Sequence, residues 1–346
     1  MKKFLILIFL SITIIGCSSN KEKPKTDTNK FAFDTTAINT TMVDNPNRSV
    51  ELNYNLEKGK TYKYRLTTIT KSVQTIKTDT TIVQDVIQKL TYLTNLKTVD
   101  VDKNGIMEIE FTFSNIKLDA QANGNYFIYE SGVTKDSSEI LKYADYEAMI
   151  ENPFTTRIDK KGNLLEIFRT DRMLNKLLEI QGYKDSLNTA QINELKINLE
   201  EGVIKPLIFQ IFRQLPAQQV AKDSTWEFPK PASRFMVFVM QNTNTFKVSS
   251  LSKLDSDELL LIEDGMKTNI TGDNKYTENN ASYLFKKPTT EANGKMYFNL
   301  TKGYVQKGKR YTKLNLYFTM EAKNGKLIQK GSKDSVIENT YIVELM

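Results

Sequence analysis

Residues 312–321 read TKLNLYFTME. Leu314, Leu316, Phe318 and Met320 fall on one side of an extended chain, and Lys313, Asn315, Tyr317 and Thr319 on the other. A period of two with a polar outer face marks an antiparallel strand buried on one side. IMEIEFTF (106–113) repeats the pattern, with Met107, Ile109, Phe111 and Phe113 set against Glu108, Glu110 and Thr112. TYKYRL (61–66), RFMVFVM (234–240), ELLLIE (258–263) and TYIVEL (340–345) share the texture. Between such runs stand VDKNGIME (101–108), QANGNYF (121–127), IDKKGNLL (158–165), EANGKMY (291–297) and AKNGKLI (322–328). Each carries Asn-Gly or Lys-Gly, and glycine supplies the positive φ that a hairpin turn needs.

The strand texture is interrupted between roughly residues 138 and 215. Thr170 is placed to cap a helix with apolar positions Met173, Leu174, Leu177 and Leu178, closed by Gly182. Asn188 and Gln191 form a capping-box pattern that opens a longer helix. Its stripe runs Ile192, Leu195, Leu199, Val203, Leu207, Ile211 and Leu215. Pro206 falls inside it, and the proline ring clashes with the carbonyl four residues back, at Gly202, so a kink or short break is expected near 202–206. Beyond it, VIKPLIFQIFRQL (203–215) is apolar on almost every side, which requires cover all round. Core helices are far commoner than ligand-lining ones, so burial between sheet surfaces is the first reading. The second is that Ile204, Ile208, Phe209 and Phe212 line a pocket for an acyl chain or other apolar ligand.

The N-terminus carries an address. Lys2 and Lys3 precede an apolar run of about a dozen residues, Phe4 to Ile15, which suits a signal-peptide core and is too short to span a bilayer. The run leads into ITIIGCSSN (12–20), which holds the only cysteine of the 346-residue chain. A small residue directly before cysteine resembles the lipobox of lipoprotein signal peptidase. On that resemblance residues 1–16 are a leader, Cys17 is acylated, and the acyl chains anchor the protein in a membrane. Residues 17–49, rich in Ser, Thr, Asn, Lys and Asp, read as a flexible tether. The body follows from residue 50: an N-terminal sheet (50–137), a mainly helical middle (138–215) and a C-terminal sheet (216–346). The fold class expected is a β-rich α+β protein whose antiparallel sheets receive the helices on one face, with a single curved sheet under a helical lid as the variant.

Composition excludes much chemistry. With Cys17 acylated and no histidine in the chain, disulfides, thiolate metal sites, Ser-His couples and ordinary zinc sites are ruled out. The formal charge of +7, or +5 once Lys2 and Lys3 leave, is spread along the chain and gives no nucleic-acid surface. No cofactor is called for. Asp100, Asp102, Asn104 and Gly105 match the first half of a calcium loop, but Phe111 stands where its last ligand belongs, and a hairpin turn explains them. Asp255, Asp257 and Glu258 likewise read as a polar turn. Paired carboxylates remain available for glycoside hydrolysis without histidine, though spacing nominates no pair. Trp226 in KDSTWEF (222–228) reads as a large anchor near a strand end, with sugar stacking as the alternative.

Three stretches carry a resemblance: ELNYNLEKGKTYKYRLTT (51–68), NPFTTRIDKKGNLLEI (152–167) and LPAQQVAKDSTWEF (215–228). Together they resemble a family of uncharacterised lipoproteins from Bacteroidota. Relatives tend to have a Gly-Asp-Ser-Trp-like turn, where this chain has Lys222 and an intervening Thr225. The family has no established activity, so the resemblance implies no catalytic residue. In lipoproteins of that phylum surface export is associated with acidic residues soon after the cysteine. Ser18-Ser19-Asn20-Lys21-Glu22 has no such run, so this chain resembles an outer-membrane lipoprotein facing the periplasm. The expectation is a non-catalytic, membrane-anchored envelope protein that binds a partner, such as a lipid or another envelope protein. A histidine-free glycan hydrolase and a purely structural protein are the alternatives.

Overall fold

The computed structural model describes residues 38–346 apart from 134, 135, 185, 279, 325 and 326. The leader, Cys17 and the first part of the expected tether lie outside the described residues. In chain order come β1 Thr41–Met42, β2 Thr61–Lys77, β3 Thr81–Val101, β4 Met107–Ala122 and β5 Asn125–Glu130. Then follow α1 Ser137–Lys142, α2 Ala144–Met149, β6 Phe154–Ile158, β7 Leu164–Phe168, α3 Asp171–Gln181 and α4 Thr189–Leu199. A π turn, Glu200–Ile204, leads into α5 Lys205–Ile211. The remainder is strand: β8 Thr225–Pro229, β9 Ser233–Phe235, β10 Phe238–Leu254, β11 Asp257–Gly272, β12 Lys275–Glu278, β13 Ala281–Phe285, β14 Thr289–Asn299, β15 Tyr304–Asn324 and β16 Leu327–Leu345.

All sixteen strands belong to one sheet, whose main path is β1-β10-β11-β14-β15-β16-β2-β3-β4-β6-β7. The expected pair of sheets is therefore a single one, the curved-sheet variant. The C-terminal strand β16 joins the two halves, pairing antiparallel with β15 on one side and β2 on the other. Alternation fixes which face of a strand is buried and is silent about its neighbour, so the junction could not be read from the pattern.

The sheet bends around its helical insert. Phe298 on β14 meets the Tyr54 ring at 5.4 Å, Tyr54 meets Phe212 at 5.0 Å, and Phe212 meets Phe111 on β4 at 6.4 Å. Flat, the five strand spacings from β14 to β4 would measure about 24 Å. Ile204, Leu207, Ile208, Ile211 and Phe212 share one apolar core with Leu66, Tyr92, Phe113, Phe154, Val248 and Val343 from across the sheet. We call the side of the sheet that faces this core the inner face. A second, smaller core holds Phe238, Met240, Ile270, Phe285 and Leu316.

Most local signals were placed as the sequence indicates. Gly182 closes α3 in the left-handed conformation. Asn188 and Gln191 form the full capping box of α4. The break expected near 202–206 is the π turn, which gives Pro206 a place in the first turn of α5. Gly105, Gly124 and Gly162 lie at positive φ in turns. Asp102 accepts hydrogen bonds from the N–H groups of Asn104 and Ile106, so its carboxylate organises the β3–β4 turn. Four expectations need correction. Thr170 precedes α3, but its side chain makes no capping bond, and its hydroxyl donates to Glu200 at 2.6 Å instead. RFMVFVM is not one strand: it turns at Met236, with Phe235 paired to Phe238 across the bend. EANGKMY is not a turn but the middle of β14. The tether ends before residue 49, since β1 pairs with β10 and Val43 is buried. Ladder bonds and an apolar contact hold this segment on the body.

Candidate functional site

Three segments distant in sequence meet beside the end of α5. Val50 and Val220 exchange backbone hydrogen bonds of 2.8 and 2.9 Å. The Tyr54 and Leu215 N–H groups donate to the carbonyls of Lys160 and Lys161, each at 2.8 Å. Tyr54, Lys160, Lys161, Leu215 and Val220 belong to the three stretches quoted for the resemblance, and Val50 stands one residue before the first, so those stretches meet in a spatial knot. Its centre is tight. Gly162 has φ +81°, and a Cβ there would lie 2.4 Å from the Arg213 carbonyl oxygen and 2.7 Å from the Tyr54 ring. The Tyr54 hydroxyl accepts from the Arg213 N–H at 2.7 Å and donates toward the Arg213 carbonyl at 3.1 Å. Burial pushes the Tyr54 pKa up, so the hydroxyl keeps its proton. The knot thereby fixes where Arg213 leaves the helix.

Beyond the knot a row of residues crosses the inner face. The pairings Trp226–Phe246, Phe246–Asp264, Asp264–Gly294, Gly294–Arg310, Arg310–Tyr341, Tyr341–Thr68 and Thr68–Leu90 place these side chains on one side of the sheet. The row is apolar at both ends and charged in the middle. Arg310 lies 3.3 Å from Asp264 across the intervening β14, with side chains only 9% and 4% exposed, and donates to Asn244 at 3.2 Å. Gly294 makes this crossing geometrically feasible, because a Cβ there would stand 2.5 Å from an Asp264 carboxylate oxygen.

Arg213 is half-buried, and its guanidinium has no hydrogen-bond or ion-pair partner among the described residues. Burial lowers its pKa, the Asp264 carboxylate acts in the opposite direction, and Arg310 lowers it further. Lys230 donates to Gln214 at 3.2 Å and sits 5.0 Å from the Phe209 ring centre. Burial holds its pKa below the ordinary lysine value, and the charges acting on it, Arg213, Arg310 and Lys205, are all positive. Burial raises the Tyr341 pKa, against opposing effects of Thr312, Arg310 and Arg213.

Of the residues nominated from sequence for an apolar ligand, Ile204, Ile208 and Phe212 are almost wholly enclosed in the main core. Phe209 is half-buried, with Lys230 over its ring. Cys17 lies outside the described residues. Trp226 is an anchor in β8, stacked on Phe246 at 5.3 Å. Sequence reasoning missed Arg213, Lys230, Asp264 and Arg310. A signal existed: Asp264 shares its strand face with Leu260 and Ile262, and Arg310 with Leu314 and Leu316, so each puts a charge on the apolar side.

Between the two apolar cores, the inner face of the central strands carries Thr70, Ser72, Val86, Leu314, Ile337 and Asn339. All six are half-exposed, and the apolar ones belong to neither core. Elsewhere, a cleft of about 430 Å³ brings together Glu110, Asp171, Arg169 and Arg172. Its Asp171 is bridged by Lys196 at 2.8 Å.

No curated protein matches the chain. Among solved structures, one described as "Lipid-protein interactions in lipovitellin" aligns with 84% of this chain at 10% identity and a TM-score of 0.44. This chain spans about a quarter of that one, 25%. Pseudomonas aeruginosa OpdQ aligns with 81% of this chain and 99% of its own at 6% identity and a TM-score of 0.21. Pseudomonas aeruginosa OccK5 (OpdH) aligns with 84% and 100% at 7% and 0.21. Scores this low carry no argument about ligand or activity. The family described as "Family of unknown function (DUF6263)" matches residues 104–305, more than half of the chain, and the protein belongs to that family.

Proposed function

We propose that this protein is a non-catalytic, membrane-anchored lipoprotein of the cell envelope that holds an amphipathic ligand on the inner face of its sheet. The observation that carries this reading is the half-exposed stretch around Leu314, Ile337 and Val86, set between two closed apolar cores. A sheet face mixing aliphatic and small polar side chains suits a ligand that is mostly apolar with a few polar points. The anchor is Cys17, acylated after removal of residues 1–16, and Ser18 to Glu22 favour the periplasmic side of the outer membrane. The ligand surface moves away from the helix positions nominated from sequence, since Ile204, Ile208 and Phe212 are occupied in the core.

Two measurements test this. Cys17→Ala is expected to release the protein from the membrane fraction; retention there would defeat the anchor assignment. Native mass spectrometry of the protein purified from its own envelope is expected to show a co-purifying amphiphile. A mass equal to the acylated chain alone would count against ligand binding.

A further inference from the structure

We infer that Arg213, Arg310 and Lys230 form a subsite for the anionic head group of an acyl-chain amphiphile, whose tail lies along Leu314 and Ile337. The inference rests on the inner-face reading above and specifies its ligand class. The head group shares one chemistry, a carboxylate or a phosphate on a long acyl chain.

Charge balance is the first support. Arg310 is already engaged by Asp264, whose carboxylate is also the one acting on Arg213. The Arg213 guanidinium has no hydrogen-bond or ion-pair partner among the described residues, where the Lys230 ammonium has only the neutral Gln214 amide and the Phe209 ring. Two arginines thus share one carboxylate, and the charges acting on Lys230 beside them are all positive, in a place where charge is poorly solvated. Uncompensated charge inside a protein is unfavourable, and an anion brought to that point is correspondingly favoured. Arginine is suited to either head group, since its fork binds carboxylate and phosphate bidentately.

Placement is the second support. Arg310 stands on the same strand face as Thr312, Leu314 and Leu316. Six residues of strand separate it from Leu316 in the smaller core, roughly 20 Å of extended chain. A head group at Arg213 therefore directs its tail down the half-exposed stretch towards Leu316. On the other side the knot of Tyr54 and Gly162 fixes the backbone of Arg213, so the subsite is preorganised by the fold.

The test uses the full chain carrying Cys17→Ala and three probes of matched tail: oleate, oleoyl lysophosphatidate and oleyl alcohol. Both anions are expected to bind at least tenfold more tightly than the alcohol, and the stronger of them identifies the head group as carboxylate or phosphate. Arg213→Gln is expected to abolish that preference while leaving alcohol binding unchanged, and Arg213→Lys to retain most of it. Without ligand, Arg213→Gln is expected to raise the unfolding temperature, because a poorly compensated charge is removed; this also verifies that the variant folds. Equal binding of all three probes, with no effect of Arg213→Gln, would overturn the head-group subsite and leave the inner-face reading standing. Binding of none would overturn the inner-face reading itself.

Discussion

Gly294 sits where a side chain would separate Asp264 from Arg310. Its mid-strand backbone needs no positive φ; what matters is the missing Cβ, which would lie 2.5 Å from the Asp264 carboxylate and 2.8 Å from the Lys309 carbonyl. Gly294→Ala is expected to destabilise the protein by about 2 kcal/mol through overpacking, read from a shifted urea midpoint. Asn-Gly here looked like a turn because the same dipeptide serves turns at Asn123-Gly124, and sequence alone does not separate glycine used for φ from glycine used for space. Asp257 offers a second test. The Lys302 ammonium, 2.7 Å away, and the Asn299 amide hold its pKa below the ordinary 3.8. A lowered folded pKa contributes stability above the unfolded value, and the contribution is lost as pH falls through the folded one. Lys302 is about half exposed, so solvent screens the pair and its contribution is small. Asp257→Asn should therefore be less stable than the parent at pH 7, with the gap closing below pH 3.8.

At the scale of elements, the helical segment was the most legible part of the chain. Caps and breakers act through local backbone chemistry, which sequence records directly. Asn188→Ala removes one half of the α4 capping box and is expected to cost about 1 kcal/mol in thermal or urea unfolding. Gly202, in the π turn, has no positive φ, and a Cβ there would meet nothing within 4 Å. Gly202→Ala should consequently stabilise the protein by about 0.5 kcal/mol in the same assays. A fall in stability would mean that the π turn depends on glycine. Strand breaks were harder to see. Met236 takes φ 55° without being glycine, so the bend that divides RFMVFVM carried no turn residue to announce it. The charged subsite was hidden for a different reason: Arg213, Asp264 and Arg310 come from three separate parts of the chain, and only the fold brings them together.

The whole molecule depends on one long-range junction. β16 lies between β15, its hairpin partner, and β2, whose first residue is Thr61. Each half of the sheet therefore completes its hydrogen bonding through β16. Calorimetry is expected to show one unfolding transition with equal calorimetric and van't Hoff enthalpies; two resolved transitions would mean that the halves are separate folding units. A chain ending at residue 326 would leave β2 and β15 with unpaired edges and should be recovered as aggregate. That position of β16 also sets a clock. The central seam pairs Leu345 with Tyr64, and closing so long a loop is slow. Refolding from denaturant is accordingly paced by a search between distant parts of the chain, and not by the growth of any one hairpin.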